Sequence, residues 1–355
     1  MSSSDDNKKK SLIKLATNLM NQNQSMDGFK KGLGLVDEAL KLDPDYALAW
    51  NLKGNALIGM AKPEEGVKCL DKAIKLDPKL AHPWYAKALV SQKLGKYEEA
   101  IEYYDKSLEL GFKNFDNRRI DILFRKGLIL NQLGKYDDAV ETFDKILKIN
   151  PDSFDTLVSK SLTLGFLNRY HEELECLEKI LEIDPKNPML WANKGAVLNE
   201  LGKPEEALEC TDKAIEILEI EDLGSRNKNQ NEQVTLHIRG NSFMGLKKYD
   251  EAIESFNKAL NLYSNGNIQQ VYVDSLIGKG NALVCINKCK EALKCFEKAL
   301  DLNPEDPIAW SNKGLALERL GNYEGALKCY NRALELNPNL ELAKEGRDNI
   351  LSSKS

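Results

Sequence analysis

A pattern that recurs every 34 residues constrains the fold of this chain more than any other feature. Its clearest copy runs from Trp310 to Pro338. Most steps between copies are 34 residues, and the others are 39, 45 and 40. The aligned copies begin at Trp50, Trp84, Leu123, Leu157, Trp191, Leu236, Leu276 and Trp310. A fixed period of this size predicts stacked repeat units, each of which buries its apolar face only against its neighbours.

Each copy has the pattern of two amphipathic helices joined by a short turn. Apolar residues recur three and four positions apart on either side of Gly321-Asn322. We expect Gly321 to end the first helix in a left-handed conformation, and Glu324 to place negative charge near the start of the second. A proline such as Pro338 then ends the second helix. The repeating unit is therefore predicted to be a helical hairpin.

Columns of small residues indicate that the two helices of each hairpin approach closely. Glycine inside a helix costs about 1 kcal/mol relative to alanine, so close packing must compensate for it. The first helices carry Gly54, Ala88, Gly127, Ser161, Gly195, Gly240, Gly280 and Gly314. The second helices carry Gly66, Ala100, Ala139, Ala207, Ala252, Ala292 and Ala326. A large column is expected to fill the space against the neighbouring copy: Leu70, Tyr104, Phe143, Leu177, Thr211, Phe256, Phe296 and Tyr330.

The chain resembles the tetratricopeptide repeat family. The residues that carry the resemblance are Trp310, Gly314, Ala326, Tyr330, Ala333 and Pro338, and the other copies repeat them in register. The resemblance implies an all-α fold, a right-handed superhelical solenoid of antiparallel helix pairs whose concave inner face binds peptides or proteins. It does not indicate the partner, because one fold serves many functions.

The period also divides the chain. We expect a flexible tail at 1–12, a degenerate amino-terminal repeat at 13–46 and a capping helix at 341–355. Between them lie eight repeats at 47–80, 81–119, 120–153, 154–187, 188–232, 233–272, 273–306 and 307–340. Of the three insertions, the polar segment from Gly224 to Gln233 is expected to be a mobile loop and Asn265-Gly266 a turn. Phe112 and Phe115 of the first insertion are expected to pack back onto their own hairpin.

Composition and motifs exclude several classes of function. A net charge of −5 with both signs interspersed argues against a nucleic-acid partner. No stretch approaches the roughly 18 apolar residues of a membrane helix, so no membrane partner is expected. No phosphate loop, dinucleotide fingerprint or catalytic motif occurs, so we expect a protein that is not an enzyme and needs no cofactor.

The seven cysteines indicate neither a metal site nor disulfides. Five of them share one column of the second helix, which is a repeat position: Cys69, Cys176, Cys210, Cys295 and Cys329. A whole hairpin separates successive members, further than the Cα spacing of roughly 4.4–6.8 Å that a disulfide allows. Cys285 and Cys289 lack the pairing and histidine partners usual for zinc. We expect no bound metal and a reducing, cytoplasmic location.

The candidate site follows from the resemblance, which places the first helix of each pair on the inner face. The second to fourth repeats then present an apolar strip edged by two aspartates: Tyr85, Leu89, Asp121, Phe124, Leu128, Asp155, Val158 and Leu162. We expect it to bind a protein segment with apolar anchors and basic residues. The alternative is that its leucines pack helix against helix. Later copies are more polar, with His237 and Asn241.

A known ligand of the family is not expected here. Some members bind the carboxylate tail of a chaperone through lysines, an arginine and asparagines. Asn55 and Arg125 match that pattern, but Asn51, Ala86 and Asp121 replace the required lysine, asparagine and lysine. The favoured function is therefore a scaffold that binds another protein in the groove. The alternative is a structural protein that self-associates through its terminal faces.

Overall fold

The computed structural model describes residues 3–22, 25–111, 117–220, 225–263 and 269–352, and these residues form nineteen α-helices with no strand. The helices are α1 Ser3–Gln22, α2 Met26–Leu42, α3 Ala47–Gly59, α4 Pro63–Leu76, α5 Ala81–Lys93, α6 Tyr97–Leu110, α7 Asn117–Gln132, α8 Tyr136–Leu147, α9 Phe154–Phe166, α10 Tyr170–Ile183, α11 Pro188–Glu200, α12 Pro204–Ile220, α13 Ser225–Gly245, α14 Tyr249–Asn261, α15 Gln269–Cys285, α16 Cys289–Leu302, α17 Pro307–Arg319, α18 Tyr323–Leu336 and α19 Glu341–Ser352. The prediction of an all-α solenoid of helix pairs is confirmed.

The chain divides into two compact units, residues 1–167 and 168–355. Unit 1 contains α1 to α9, and unit 2 contains α10 to α19. Within each unit consecutive helices pack on one another, and most first helices also contact the first helix of the next pair, as α3 does with α5 and α15 with α17. Second helices make no comparable contact within the described ranges. The first helices therefore form the inner side of each unit.

The turn inside each hairpin requires a left-handed residue. Gly321 has φ of 76°, as predicted, and Gly95, Gly134 and Gly202 adopt the same conformation. Other hairpins place a side chain there, for example Ala61 at φ 60°. Such a residue costs more backbone strain than glycine does, and the packing of both helices must hold it in place.

The tryptophan and proline columns are linked by a hydrogen bond. In three repeats the indole Nε1 donates to the carbonyl oxygen of the proline six residues earlier: Trp50 to Pro44 at 2.7 Å, Trp191 to Pro185 at 2.8 Å and Trp310 to Pro304 at 2.9 Å. The bond ties the start of each first helix to the turn before it. The buried indole nitrogen of Trp84 has no hydrogen-bond partner among the described residues.

The small and large columns meet within the same hairpin, and not only against the neighbouring copy. A methyl group at Gly280 would lie 2.5 Å from the ring of Phe296, and a methyl group at Gly127 would lie 2.5 Å from the ring of Phe143. Glycine therefore makes room for an aromatic ring sixteen residues later. Large residues also reach the next repeat, since a methyl at Gly278 would lie 2.6 Å from Phe256.

The amino-terminal residues differ from the expectation. We expected a flexible tail at 1–12, but α1 begins at Ser3. Lys9 is buried, lies 2.6 Å from the carboxylate of Asp43 and stands over the ring of Tyr46. The prediction failed because this contact joins residues 34 positions apart, and the local sequence shows only polar side chains.

The expected loop at Gly224 to Gln233 is also wrong from residue 225 onward. Residues 225–233 belong to α13, and Gln233 is fully buried. Gly224, Phe112, Phe115 and the turn at Asn265-Gly266 lie outside the described residues.

The carboxy-terminal helix α19 lies where the capping helix was expected. It buries Ala343 and Ile350, whereas Leu342 is 41% exposed.

Candidate functional site

The eight candidate residues come from three adjacent first helices, all in unit 1. Helix α5 supplies Tyr85 and Leu89. Helix α7 supplies the next three and α9 the last three: Asp121, Phe124, Leu128, Asp155, Val158 and Leu162. We call these eight residues the inner strip. They belong to one face because the same positions of the 34-residue repeat recur in each helix.

One end of the inner strip is a polar cluster that joins α5 to α7. The hydroxyl of Tyr85 donates to Asp121 Oδ2 at 2.8 Å, and Arg125 Nε donates to Asp121 Oδ1 at 2.9 Å. The guanidinium of Arg118 lies 5.7 Å from the centre of the Tyr85 ring. Burial, and then the hydrogen bond to Asp121, raise the pKa of Tyr85, so its hydroxyl remains a donor.

The two aspartates of the strip therefore differ. Arg125 forms an ion pair with Asp121, and Tyr85 donates to its second oxygen. Asp155 is exposed and has no ion-pair or hydrogen-bond partner among the described residues. Of the two strip aspartates, only Asp155 has a carboxylate that no described residue engages.

The aromatic residues of the strip rest on the core. The ring of Phe124 is 6.1 Å from that of Phe143, and Tyr85 is 6.2 Å from Tyr104. Tyr104 is fully buried and donates its hydroxyl to Gln92 Oε1 at 2.7 Å. Phe124 and Tyr85 are partly buried, so each has one face on the core and one toward the inner side.

The leucine column changes along the strip from packed to exposed. Leu89 is partly buried against a cluster that includes Ile122 and Ile129. Leu128 is 40% exposed and Leu162 is 58% exposed. The alternative of helix-to-helix packing thus describes Leu89, whereas Leu128 and Leu162 present apolar surface to solvent.

A second polar contact holds α7 against α9. The side-chain amide of Asn131 donates to Thr163 Oγ1 at 2.7 Å, and Thr163 donates to the carbonyl oxygen of Ser159 at 2.6 Å. Thr163 is buried. Together with the Tyr85 cluster, this contact sets the spacing of the three helices that carry the strip.

A series of ion pairs between successive repeats was not predicted from the sequence. At seven of the eight copy starts, the basic residue three positions later meets an acid on the preceding second helix. Examples in unit 1 are Lys53 with Asp37 at 2.8 Å, Lys87 with Asp71 at 2.7 Å and Lys160 with Asp144 at 2.6 Å. Unit 2 has Lys194 with Glu178 at 2.9 Å, Arg239 with Asp212 at 2.8 Å and Lys313 with Glu297 at 3.3 Å. The recurring charge column would have revealed these structural contacts.

A polar cluster joins two first helices of unit 2, α13 and α15. Ser275 donates its proton to the carbonyl oxygen of Val271 at 2.7 Å, so its oxygen accepts from His237 Nδ1 at 3.1 Å. The other ring nitrogen then accepts from the amide of Asn241 at 3.1 Å. This arrangement requires neutral imidazole, and burial lowers the pKa of His237 to about 4.

The cysteines and other titratable groups form no further centre in the described part of the chain. The five cysteines of the repeat column are buried, and Cys285 is exposed. Within the described ranges no three histidine, cysteine or acidic side chains cluster as metal ligands do. None of the described helices combines the length and apolar character needed to cross a bilayer.

Stacked helix pairs whose first helices expose both apolar and hydrogen-bonding side chains define a helical repeat protein of the protein-interaction class. Family profiles specify the class further. Profiles described as tetratricopeptide repeat match residues 47–80, 79–152, 154–187, 176–209, 234–265 and 307–340, and one described as TPR repeat matches 280–321. The chain belongs to the tetratricopeptide repeat family.

Solved structures share the fold at low sequence identity. A tetratricopeptide repeat protein from Parabacteroides merdae has 16% identity, with 76% of this chain and 98% of that chain covered, at a TM-score of 0.60. PilW, a type IV pilus biogenesis factor, has 15% identity, with 65% of this chain and 99% of that chain covered, at a TM-score of 0.53. The structure of Naa15/Naa10 bound to HypK-THB has 14% identity, with 97% of this chain and 67% of that chain covered, at a TM-score of 0.52. Comparison with curated proteins gives no match.

Proposed function

We propose that this chain is a scaffold that binds a segment of another protein on the inner strip of unit 1. The observation that carries the proposal is the exposure of Leu128 and Leu162 at the same repeat position of adjacent first helices. Membership of a family of protein-interaction repeats supports it. Burying an exposed leucine on binding contributes roughly 1.5–3 kcal/mol when the burial is complete.

The charges of the strip define the partner. Asp155 is the one strip carboxylate with no partner in the described structure, so a lysine or arginine of the ligand pairs with it. Asp121 is already paired with Arg125 and contributes little attraction. The ligand is thus an apolar segment with a basic residue beside its anchors, and the charge acts mainly on association rate and selectivity.

Preorganisation favours this surface. The bond from Tyr85 to Asp121 joins α5 to α7, and the bond from Asn131 to Thr163 joins α7 to α9. The strip therefore keeps its spacing without a ligand, which lowers the entropy lost on binding.

The test compares Leu128→Ala and Leu162→Ala with a matched control. Peptides are first selected from a random library displayed on phage, using the purified protein as the target. Each enriched peptide is then measured by calorimetry against wild type and variants. We expect apolar peptides with lysine or arginine, and about tenfold weaker binding to each variant, equivalent to about 1.4 kcal/mol. Folding should change little, because both leucines are exposed.

The control is Leu302→Ala on the second helix α16, where the leucine is 38% exposed. It should leave binding unchanged. Enriched peptides that bind both strip variants as tightly as wild type would refute the proposal. Light scattering across protein concentration examines the alternative, since a mass that grows with concentration would indicate self-association.

A further inference from the structure

A second groove lies at the hairpin-turn end of unit 1, where the α3–α4 pair meets α5 and α6. Two cavities of about 430 and 380 Å³ share Pro63, Val90 and Leu94 and so form one continuous depression. We call it the edge groove. It adjoins the inner strip at Leu89, and its walls are chiefly the start of α4 and the end of α5.

The floor of the edge groove is apolar and open to solvent. Val67 and Val90 line it, and Leu94 is 60% exposed at the point where α5 ends. Leu94 is among the most exposed large apolar side chains of the described residues. A leucine left in water beside an apolar depression marks a surface that gains free energy when covered.

The groove is open because this hairpin lacks an aromatic residue that the next two have. Helices α6 and α8 begin with Tyr97 and Tyr136, whereas α4 begins with Pro63. Tyr97 accepts a hydrogen bond from Gln132 of the next repeat at 2.7 Å, and Tyr136 stacks on Phe166 of the next repeat at 5.1 Å. Proline is too short to fill the equivalent corner.

The charges around the edge groove favour an acidic ligand. Lys68 and Lys93 are exposed and have no partner in the described structure. The acid Glu99 is engaged by Lys96 at 3.8 Å and by the hydroxyl of Tyr103 at 2.8 Å. Glu64 stands in the first turn of α4, where the helix dipole stabilises its charge.

We propose that the edge groove binds a short peptide segment that carries one or two large aliphatic side chains flanked by aspartate or glutamate. The aliphatic side chains cover Val67, Val90 and Leu94, and the flanking carboxylates pair with Lys68 and Lys93. This preference is opposite in sign to that of the inner strip. The chain thereby has two docking surfaces in one unit, which meet at Leu89 and take ligands of opposite charge.

The experiment uses the full chain and two labelled synthetic peptides, measured by fluorescence anisotropy. One peptide has two central leucines flanked by glutamates, and the other has lysines in place of the glutamates. We expect wild type to bind the acidic peptide at least tenfold more tightly than the basic one. Lys68→Glu combined with Lys93→Glu should reverse that preference.

Pro63→Tyr tests the cavity itself, because tyrosine at this helix position is already present in α6 and α8. We expect it to weaken binding of the acidic peptide at least tenfold. Matched controls are Pro204→Tyr at the same position of unit 2, Lys179→Glu on α10, and Leu162→Ala on the inner strip. All three should bind the acidic peptide as wild type does.

Leu94→Ser provides a second variant in case Pro63→Tyr perturbs folding, because Leu94 is already largely exposed. It should weaken the acidic peptide several-fold with an unchanged circular dichroism spectrum. Equal binding of the two peptides to wild type, or undiminished binding to folded Pro63→Tyr and Leu94→Ser, would overturn the proposal. Loss of binding in Leu162→Ala would also overturn it, since the peptide would then occupy the inner strip.

Discussion

Replacing Gly280 by alanine tests whether glycine in the first helices exists to admit the aromatic ring of the same hairpin. The new methyl carbon would lie 2.5 Å from one ring carbon of Phe296 and 2.7 Å from another. Favourable carbon contacts lie at about 3.5–4.0 Å, so the ring must move by roughly 1 Å. Phe296 is fully buried in a close-packed cluster and cannot move without displacing its neighbours.

The expected magnitude combines two opposing contributions. Overpacking of a core costs about 1–3 kcal/mol. Alanine is more favourable than glycine within a helix by about 1 kcal/mol. Gly280→Ala should therefore lower the local free energy of unfolding by about 0–2 kcal/mol.

Gly195 is the matched control. It occupies the same column, but its hairpin has Thr211 in place of the aromatic ring, and a methyl there would lie 3.2 Å from the carbonyl oxygen of Ala207 and 3.3 Å from Thr211. Small adjustments suffice, so the helical gain dominates and Gly195→Ala should be about 1 kcal/mol more stable. The difference between the two variants should thus be about 1–3 kcal/mol.

Native-state hydrogen exchange is the appropriate assay, because repeat arrays need not unfold in one cooperative step. Amides of α15 and α16 should exchange faster in Gly280→Ala, by roughly thirtyfold for a loss of about 2 kcal/mol. Combining Gly280→Ala with Phe296→Leu should recover part of the loss, as coupled neighbours do. Equal protection in Gly280→Ala and Gly195→Ala would refute the explanation.

Two further changes test the structure. Trp310→Phe removes the hydrogen bond to Pro304 and should destabilise the protein by about 1 kcal/mol more than Trp84→Phe. The indole nitrogen of Trp84 has no hydrogen-bond partner in the described part of the chain, so equal melting temperatures of the two variants would contradict this. Burial raises the pKa of Glu173 to about 7, so its stabilising contribution is complete below pH about 4.5 and is lost as the pH rises through about 7. The melting temperature should fall between pH about 5 and about 8, and Glu173→Gln should flatten that dependence; an unchanged slope in the variant would refute it.

The position of the candidate site could be predicted from the sequence, but the exposure of its side chains could not. The repeat register places the inner strip on three first helices, and Leu89 and Leu162 are equivalent in the sequence. Only the contacts with Ile122 and Ile129 distinguish the packed leucine from the exposed one. The exposure of a side chain depends on neighbours that are distant in sequence. Identical residues at one repeat position therefore cannot show which of them is buried.

The pairing of Asp121 was not predicted, for a similar reason. Asp121 and Asp155 occupy the same repeat position, so both were expected to attract a basic ligand. Arg125 lies one helical turn from Asp121, and Tyr85 reaches it from the preceding repeat. The partnership with Arg125 could have been inferred from the i, i+4 spacing. The bond from Tyr85 required the relative placement of α5 and α7.

The sequence by itself determined the helical hairpin, the family and the location of the inner side, because a 34-residue period repeats the same local pattern in every copy. Only the tertiary structure showed which of the segments that interrupt the 34-residue period are nevertheless helical. Residues 225–233 look like a loop, yet they belong to α13 with Gln233 buried. It also decided where Pro63 leaves the edge groove open. Both outcomes depend on packing between residues of different repeats, which cannot be inferred from the local sequence.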